Sequence, residues 1–139
     1  MNRQNISTTP SGIKKIALII MSIWSILLGA CAQSTFTNVD VNGFEKAIKN
    51  DSVQILDVRT SEEFAEGHIK GAIQVDVFSA NFLADAESKL KKDRTVAVYC
   101  RSGKRSANAA NQLTSKGFKV INLEGGIMAW IANKKETVK

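Results

Sequence analysis

After residue 40 the apolar positions fall into short β-branched runs separated by stretches of helical spacing. Val53–Val58 (VQILDV) and Thr95–Tyr99 (TVAVY) are compact apolar runs that predict buried strands, the second being the clearest in the chain. Ala72–Val75 and Lys119–Leu123 predict two more. Between them, Phe44, Ala47 and Ile48 share one face of a helix that Asp40 can cap. Thr60 followed three residues later by Glu63 is a capping-box signature, opening a brief helix that Gly67 stops. Asn81–Leu90 predicts an amphipathic helix with Phe82, Leu83, Ala86 and Leu90 inward. Ser106–Lys116 predicts another, with Ala107, Ala110 and Leu113 on one side and Gly117 as its stop, and Ile127–Ile131 a last short one. Strands alternating with helices predict a single α/β domain around a mainly parallel sheet.

The chain before residue 40 follows a different pattern. Ile16–Leu28 (IALIIMSIWSILL) is an apolar run preceded by Lys14 and Lys15, shorter than the ~20 residues that span a bilayer. A positive segment, an apolar core and then small residues are the marks of a secretory signal. Leu28-Gly29-Ala30-Cys31 resembles the bacterial lipobox, which implies cleavage before Cys31 and lipidation of its thiol. The expected organisation is a lipoprotein signal peptide over 1–30 and a lipidated tether over 31–38. A folded domain over 39–132 and a polar, solubilising tail over 133–139 follow. The expected location is the bacterial cell envelope, lipid-anchored in the membrane and facing the periplasm.

Charge changes little in this picture. The net charge of +6 includes Arg3, Lys14 and Lys15 in the leader, and without them 16 basic residues stand against 13 acidic ones. That mild excess describes a solvated surface, with no nucleic-acid partner implied. Lys91, Lys92 and Arg94 are expected at an exposed helix end. Cysteine usage matters more. Beyond Cys31 only Cys100 remains, so the domain has no internal disulfide and no Cys-x-x-Cys pair. With one histidine, His68, a zinc site has no support.

Cys100 stands where an α/β sheet places its ligands, directly after a strand and before a helix. The segment Cys100-Arg101-Ser102-Gly103-Lys104-Arg105-Ser106 is a short loop closing onto a helix N-terminus. Such a loop aims several backbone N–H groups at one centre, and Arg101, Lys104 and Arg105 add full charge. An anion is attracted there, and the same field favours a thiolate, the species that attacks.

This loop resembles the active-site loop of single-domain rhodaneses, a sulfurtransferase family. The other landmarks stand in the family's order: Asp57-Val58-Arg59, Gly67-His68-Ile69-Lys70-Gly71-Ala72-Ile73, and Gly125-Gly126 with Trp130. The resemblance implies a rhodanese-like fold, a five-stranded, mainly parallel central sheet with helices on both faces. It also implies double displacement. Cys100 takes sulfane sulfur from thiosulfate or another small anionic donor as a persulfide, and a thiol or cyanide acceptor removes it. The N–H groups from Arg101 to Ser106 would stabilise the persulfide, and Arg101, Lys104 and Arg105 would attract the donor. Neither a metal nor an organic cofactor is implied.

Other assignments are weaker. Cysteine phosphatases use Cys-x5-Arg, whereas Arg105 follows Cys100 after four residues, and no second cysteine is placed to resolve an arsenate-reductase cycle. A rhodanese-like module that binds or delivers sulfur without turnover is the alternative, and the retained cysteine and basic loop favour the enzyme. Asp57 is expected to hydrogen-bond loop groups or meet Arg105, and Arg59 to pair with Glu62 or Glu63 and brace its turn. His68 is expected to make a structural hydrogen bond, and Gly125, Gly126 and Trp130 to serve packing.

Overall fold

The computed structural model describes residues 35–139. The leader over 1–30 and the lipidation residue Cys31 lie outside the described residues. Five strands, β1 (Thr37–Val39), β2 (Gln54–Asp57), β3 (Ile73–Gln74), β4 (Val96–Tyr99) and β5 (Val120–Leu123), form one sheet in the order β1-β5-β4-β2-β3. All four pairings are parallel. The helices are α1 (Val41–Ile48), α2 (Ser61–Glu66), α3 (Phe82–Lys89), α4 (Lys104–Ser115) and α5 (Gly126–Ala132).

Central β4 is buried along its whole length, and its period-two alternation divides the core. Val96 and Val98 face one layer, with Leu56 and Val58 from the β2 segment, Phe82 and Ala86 of α3, and Ala109, Ala110 and Leu113 of α4. Ala97 and Tyr99 face the other, with Ile55, Leu123, Val41 and Phe44 of α1, and Ile127 and Trp130 of α5. Phe44 joins that second layer through edge-to-face contacts with Tyr99 at 6.4 Å and Trp130 at 6.2 Å. Its complete burial contributes roughly 1.5–3 kcal/mol.

The local signals act as expected at two helix starts. Asp40 Oδ1 accepts from Gly43 N at 2.7 Å, capping α1. At α2 both halves of the capping box form between Thr60 and Glu63. Differences lie at the ends of the domain. Thr37 and Asn38, assigned by composition to the tether, are strand residues, because β5 offers an open edge that only a distant segment can pair. The polar stretch after residue 132 is docked. Glu136 O accepts from Trp130 Nε1 at 2.9 Å, Lys135 pairs with Glu45 at 2.7 Å, and Val138 bridges His68 through two backbone hydrogen bonds. Among the described residues, no helix is long and apolar enough to cross a membrane.

Candidate active site

Cys100 continues the alternation of β4, so its side chain turns to the Val96–Val98 face, the layer in which α4 begins. There it is fully buried, at the floor of a loop rather than on its rim. The loop is short because Gly103 adopts φ +98°, a left-handed conformation that turns the chain at once into α4. A Cβ on Gly103 would also stand 3.3 Å from Gly125 N and 3.4 Å from Leu123 O. Helix α4 therefore starts two residues before the expected Ser106, which brings Lys104 and Arg105 into its first turn.

Two donors reach the sulfur. Gly103 N lies 3.1 Å from Cys100 Sγ, and Ser106 Oγ lies 3.3 Å from it. Ser106 is itself fully buried, and Oγ is also 3.2 Å from Gly103 O, so one hydroxyl proton serves two acceptors. The N–H groups of Lys104, Arg105 and Ser106 belong to a first helical turn, which has no intrahelical acceptors for them. They give the helix terminus its partial positive charge.

The loop carbonyls are held on the opposite side. Ile127 N donates to Cys100 O at 2.9 Å and Met128 N to Arg101 O at 3.2 Å, so the first turn of α5 fixes the backbone that carries the thiol. This approach explains Gly126: a Cβ there would sit 2.6 Å from Cys100 O, and its φ is +61°. Asn122, facing the same layer from β5, reaches Gly103 O at 3.4 Å and Asn38 Oδ1 at 2.9 Å through Nδ2. Sequence reasoning gave Gly126 no contact with the loop and did not single out Asn122. Period-two counting along β5 places Asn122 on the Val120 side and was the available signal.

The cations divide. Arg101 and Lys104 are exposed and enter no salt bridge among the described residues. Arg105 is half-buried and engaged, with Nη1 and Nη2 each 2.8 Å from the carboxylate of Glu63. That carboxylate is held down to about 2 by Arg105 first, against the opposing effect of burial, with help from Thr60. Glu63 was read as a cap and as a candidate partner of Arg59, yet its cation is Arg105, and it ties α2 to the first turn of α4.

Asp57 and Arg59 correct the expectation made for them. Asp57 is in register with Tyr99, so it faces the sheet side opposite Cys100 and meets neither the loop nor Arg105. Arg59 pairs with Asp57 instead of Glu62 or Glu63, with Nη2 at 2.6 Å from Oδ2 and Nε at 3.0 Å from Oδ1. The same Nη2 donates to Gly67 O at 2.8 Å, and the guanidinium lies 5.6 Å from the centre of the Tyr99 ring. The pair is a buried brace between the end of β2 and the turn before β3. His68 Nδ1 lies 3.0 Å from Phe64 O and its ring stacks on Phe64 at 3.7 Å, a structural role.

With this geometry in place, comparison with known proteins is informative. The family model of the rhodanese-like domain matches residues 40–133. A sulfurtransferase of Allochromatium vinosum is 38% identical over 87 residues, covering 62% of this chain and 78% of the relative. The thiosulfate sulfurtransferase GlpE of Shewanella oneidensis is 37% identical over 99 residues, 70% of this chain and 94% of the relative. Among solved structures, a rhodanese-related protein from Thermoplasma volcanium superposes with a TM-score of 0.66 at 29% identity, covering 74% of this chain and 98% of that one.

Proposed function

The chain belongs to the rhodanese-like domain family, and from that premise we propose that it is a sulfurtransferase whose Cys100 carries sulfur as a persulfide. One observation carries the reading: the buried Sγ receives Gly103 N–H and the Ser106 hydroxyl at the N-terminus of α4. In the first half-reaction Sγ attacks the outer sulfur of thiosulfate. The Sγ–S bond forms, the thiosulfate S–S bond breaks, and sulfite leaves with the electron pair. In the second, cyanide or a thiolate takes the outer sulfur and the electron pair returns to Sγ. Negative charge on sulfur appears and disappears in each half, and fixed donors stabilise it without reorganising. Exposed Arg101 and Lys104 attract the anionic donor, while Arg105, balanced by Glu63, contributes less charge.

The test is thiosulfate-to-cyanide transfer by the full-length chain, with intact mass recorded after thiosulfate alone. We expect turnover and a mass gain of one sulfur atom, both absent in Cys100→Ser. A mass gain without turnover would move the protein to the sulfur-delivery reading. Neither signal, with thiosulfate and then with an organic persulfide as donor, would exclude sulfur transfer.

The leader supports a lipid anchor on Cys31 at the bacterial cell envelope, with the domain facing the periplasm. Labelled palmitate is expected to enter the protein in a bacterial host and to be lost in Cys31→Ser; equal labelling of both would reject the anchor.

A further inference from the structure

Beside the loop, the segment after β3 and the outer side of α4 enclose a cleft of about 260 Å³ lined by Val77, Phe78, Lys104, Arg105 and Asn108. We propose that this cleft is the acceptor subsite, built for an organic thiol with an apolar body and an anionic group, with Phe78 selecting it. This deepens the sulfurtransferase reading and rests on it.

Phe78 is 72% exposed, the most solvent-facing of the large apolar side chains described. Its backbone is nevertheless pinned: Phe78 N donates to Asp76 Oδ1 at 2.8 Å, and Val77 N donates to Val58 O at 3.1 Å. Its ring lies 5.6 Å from the Arg105 guanidinium, which Glu63 holds through both Nη atoms. A phenyl ring fixed in water next to a reactive loop presents apolar surface to whatever enters. Thiosulfate and cyanide, small and polar, gain nothing from it.

The rest of the lining narrows the ligand class. Arg105 is paired with Glu63, so Lys104 is the lining cation with no salt bridge among the described residues. Asn108 lies one turn along α4, and its Oδ1 accepts from Gln112 Nε2 at 2.7 Å, which leaves the Asn108 amide N–H groups as donors. One wall is thus apolar and the other offers a cation and a donor. A cavity of about 150 Å³ holds benzene, so this cleft suits a substituted ring or a short-chain thiol and not a folded segment. Val77 packs against the apolar layer that contains Cys100, which sets the cleft against the layer holding the thiol. In the transfer, the acceptor thiolate forms a bond to the outer sulfur of the persulfide. The bond from that sulfur to Sγ breaks, and its electron pair returns to Sγ.

The experiment compares acceptors on the full-length chain with thiosulfate as donor, counting turnovers by sulfite release and taking Cys100→Ser as the blank. The acceptors are cyanide, 4-mercaptobenzoate and uncharged thiophenol. We expect Phe78→Ala to raise the KM for 4-mercaptobenzoate roughly three- to tenfold, the scale of one aromatic contact. Its kcat, and both constants for cyanide, are expected to stay within about twofold, and Phe78→Trp is expected to restore the KM. An unchanged KM in Phe78→Ala, or an equal loss with cyanide, would overturn the subsite while leaving sulfur transfer standing. Equal KM values for 4-mercaptobenzoate and thiophenol in the unaltered chain would overturn its anionic part. No sulfite with any acceptor would instead overturn the reading on which it rests.

Discussion

At Cys100 the deciding contacts are two hydrogen-bond donors and a carbonyl held away. Gly103 N–H and Ser106 Oγ lie 3.1 and 3.3 Å from Sγ, and Ile127 N–H draws the Cys100 carbonyl to the other side. A hydrogen bond to a charged acceptor is worth about 1.5 kcal/mol or more, close to tenfold in rate. Ser106→Ala is therefore expected to lower kcat for thiosulfate-to-cyanide transfer about tenfold with little change in KM. Alanine fits this buried first-turn position, so the thermal midpoint should barely move. An unchanged kcat would assign the hydroxyl to Gly103 O alone. Sequence reasoning placed Ser106 in the loop through its N–H and took it for the opening of the helix. The left-handed turn at Gly103, packed closely against Leu123 O and Gly125 N, starts α4 earlier and points the hydroxyl at sulfur.

Among elements, the end of β2 shows how alternation assigns roles. Leu56 and Val58 face the layer that contains Cys100, and Asp57 between them faces away. Its carboxylate holds Arg59, which in turn holds Gly67 O, so β2 and the turn before β3 are joined by one buried ion pair. Removing one partner of such a pair leaves a buried charge uncompensated, at a cost of about 3–5 kcal/mol. Asp57→Asn is expected to lower stability by that amount in chemical denaturation, while the folded fraction keeps its rate of sulfur transfer. A selective loss of rate at unchanged stability would return Asp57 to the active site. The alternation was visible in the run Val53–Val58, but the charge of Arg105 drew Asp57 toward the wrong face.

For the whole molecule, Glu63 links distant parts of the chain, capping α2 and holding Arg105 at the start of α4. Its carboxyl titrates at about 2 in the folded protein, below the ordinary 4.5, chiefly because of Arg105. The folded state thus binds the proton more weakly than the unfolded one. This stabilisation is complete above about pH 4.5 and fades as pH falls toward about 2. Thermal midpoints of the unaltered chain and Glu63→Gln are expected to differ at neutral pH and to converge across that window. A constant difference down to pH 2 would show that the carboxylate charge is not what links the two helices.

Chain order, the parallel α/β architecture and the short loop from Cys100 to Ser106 were legible along the sequence, because each depends on neighbours within a few residues. Apolar period, capping residues and the run Cys100–Ser106 are local signals. The edge strand Thr37–Val39, the docking of residues 135–138 and the hold of Ile127 N–H on the Cys100 carbonyl depend on pairs far apart in the chain. So does the choice of Glu63 as the partner of Arg105, 42 residues away. Asp57 and Arg59 are near neighbours in sequence, and there the pairing was missed because the face of each side chain was not followed. A carboxylate pairs with whichever cation the sheet places on its own face, and that face is settled only when the strands come into register.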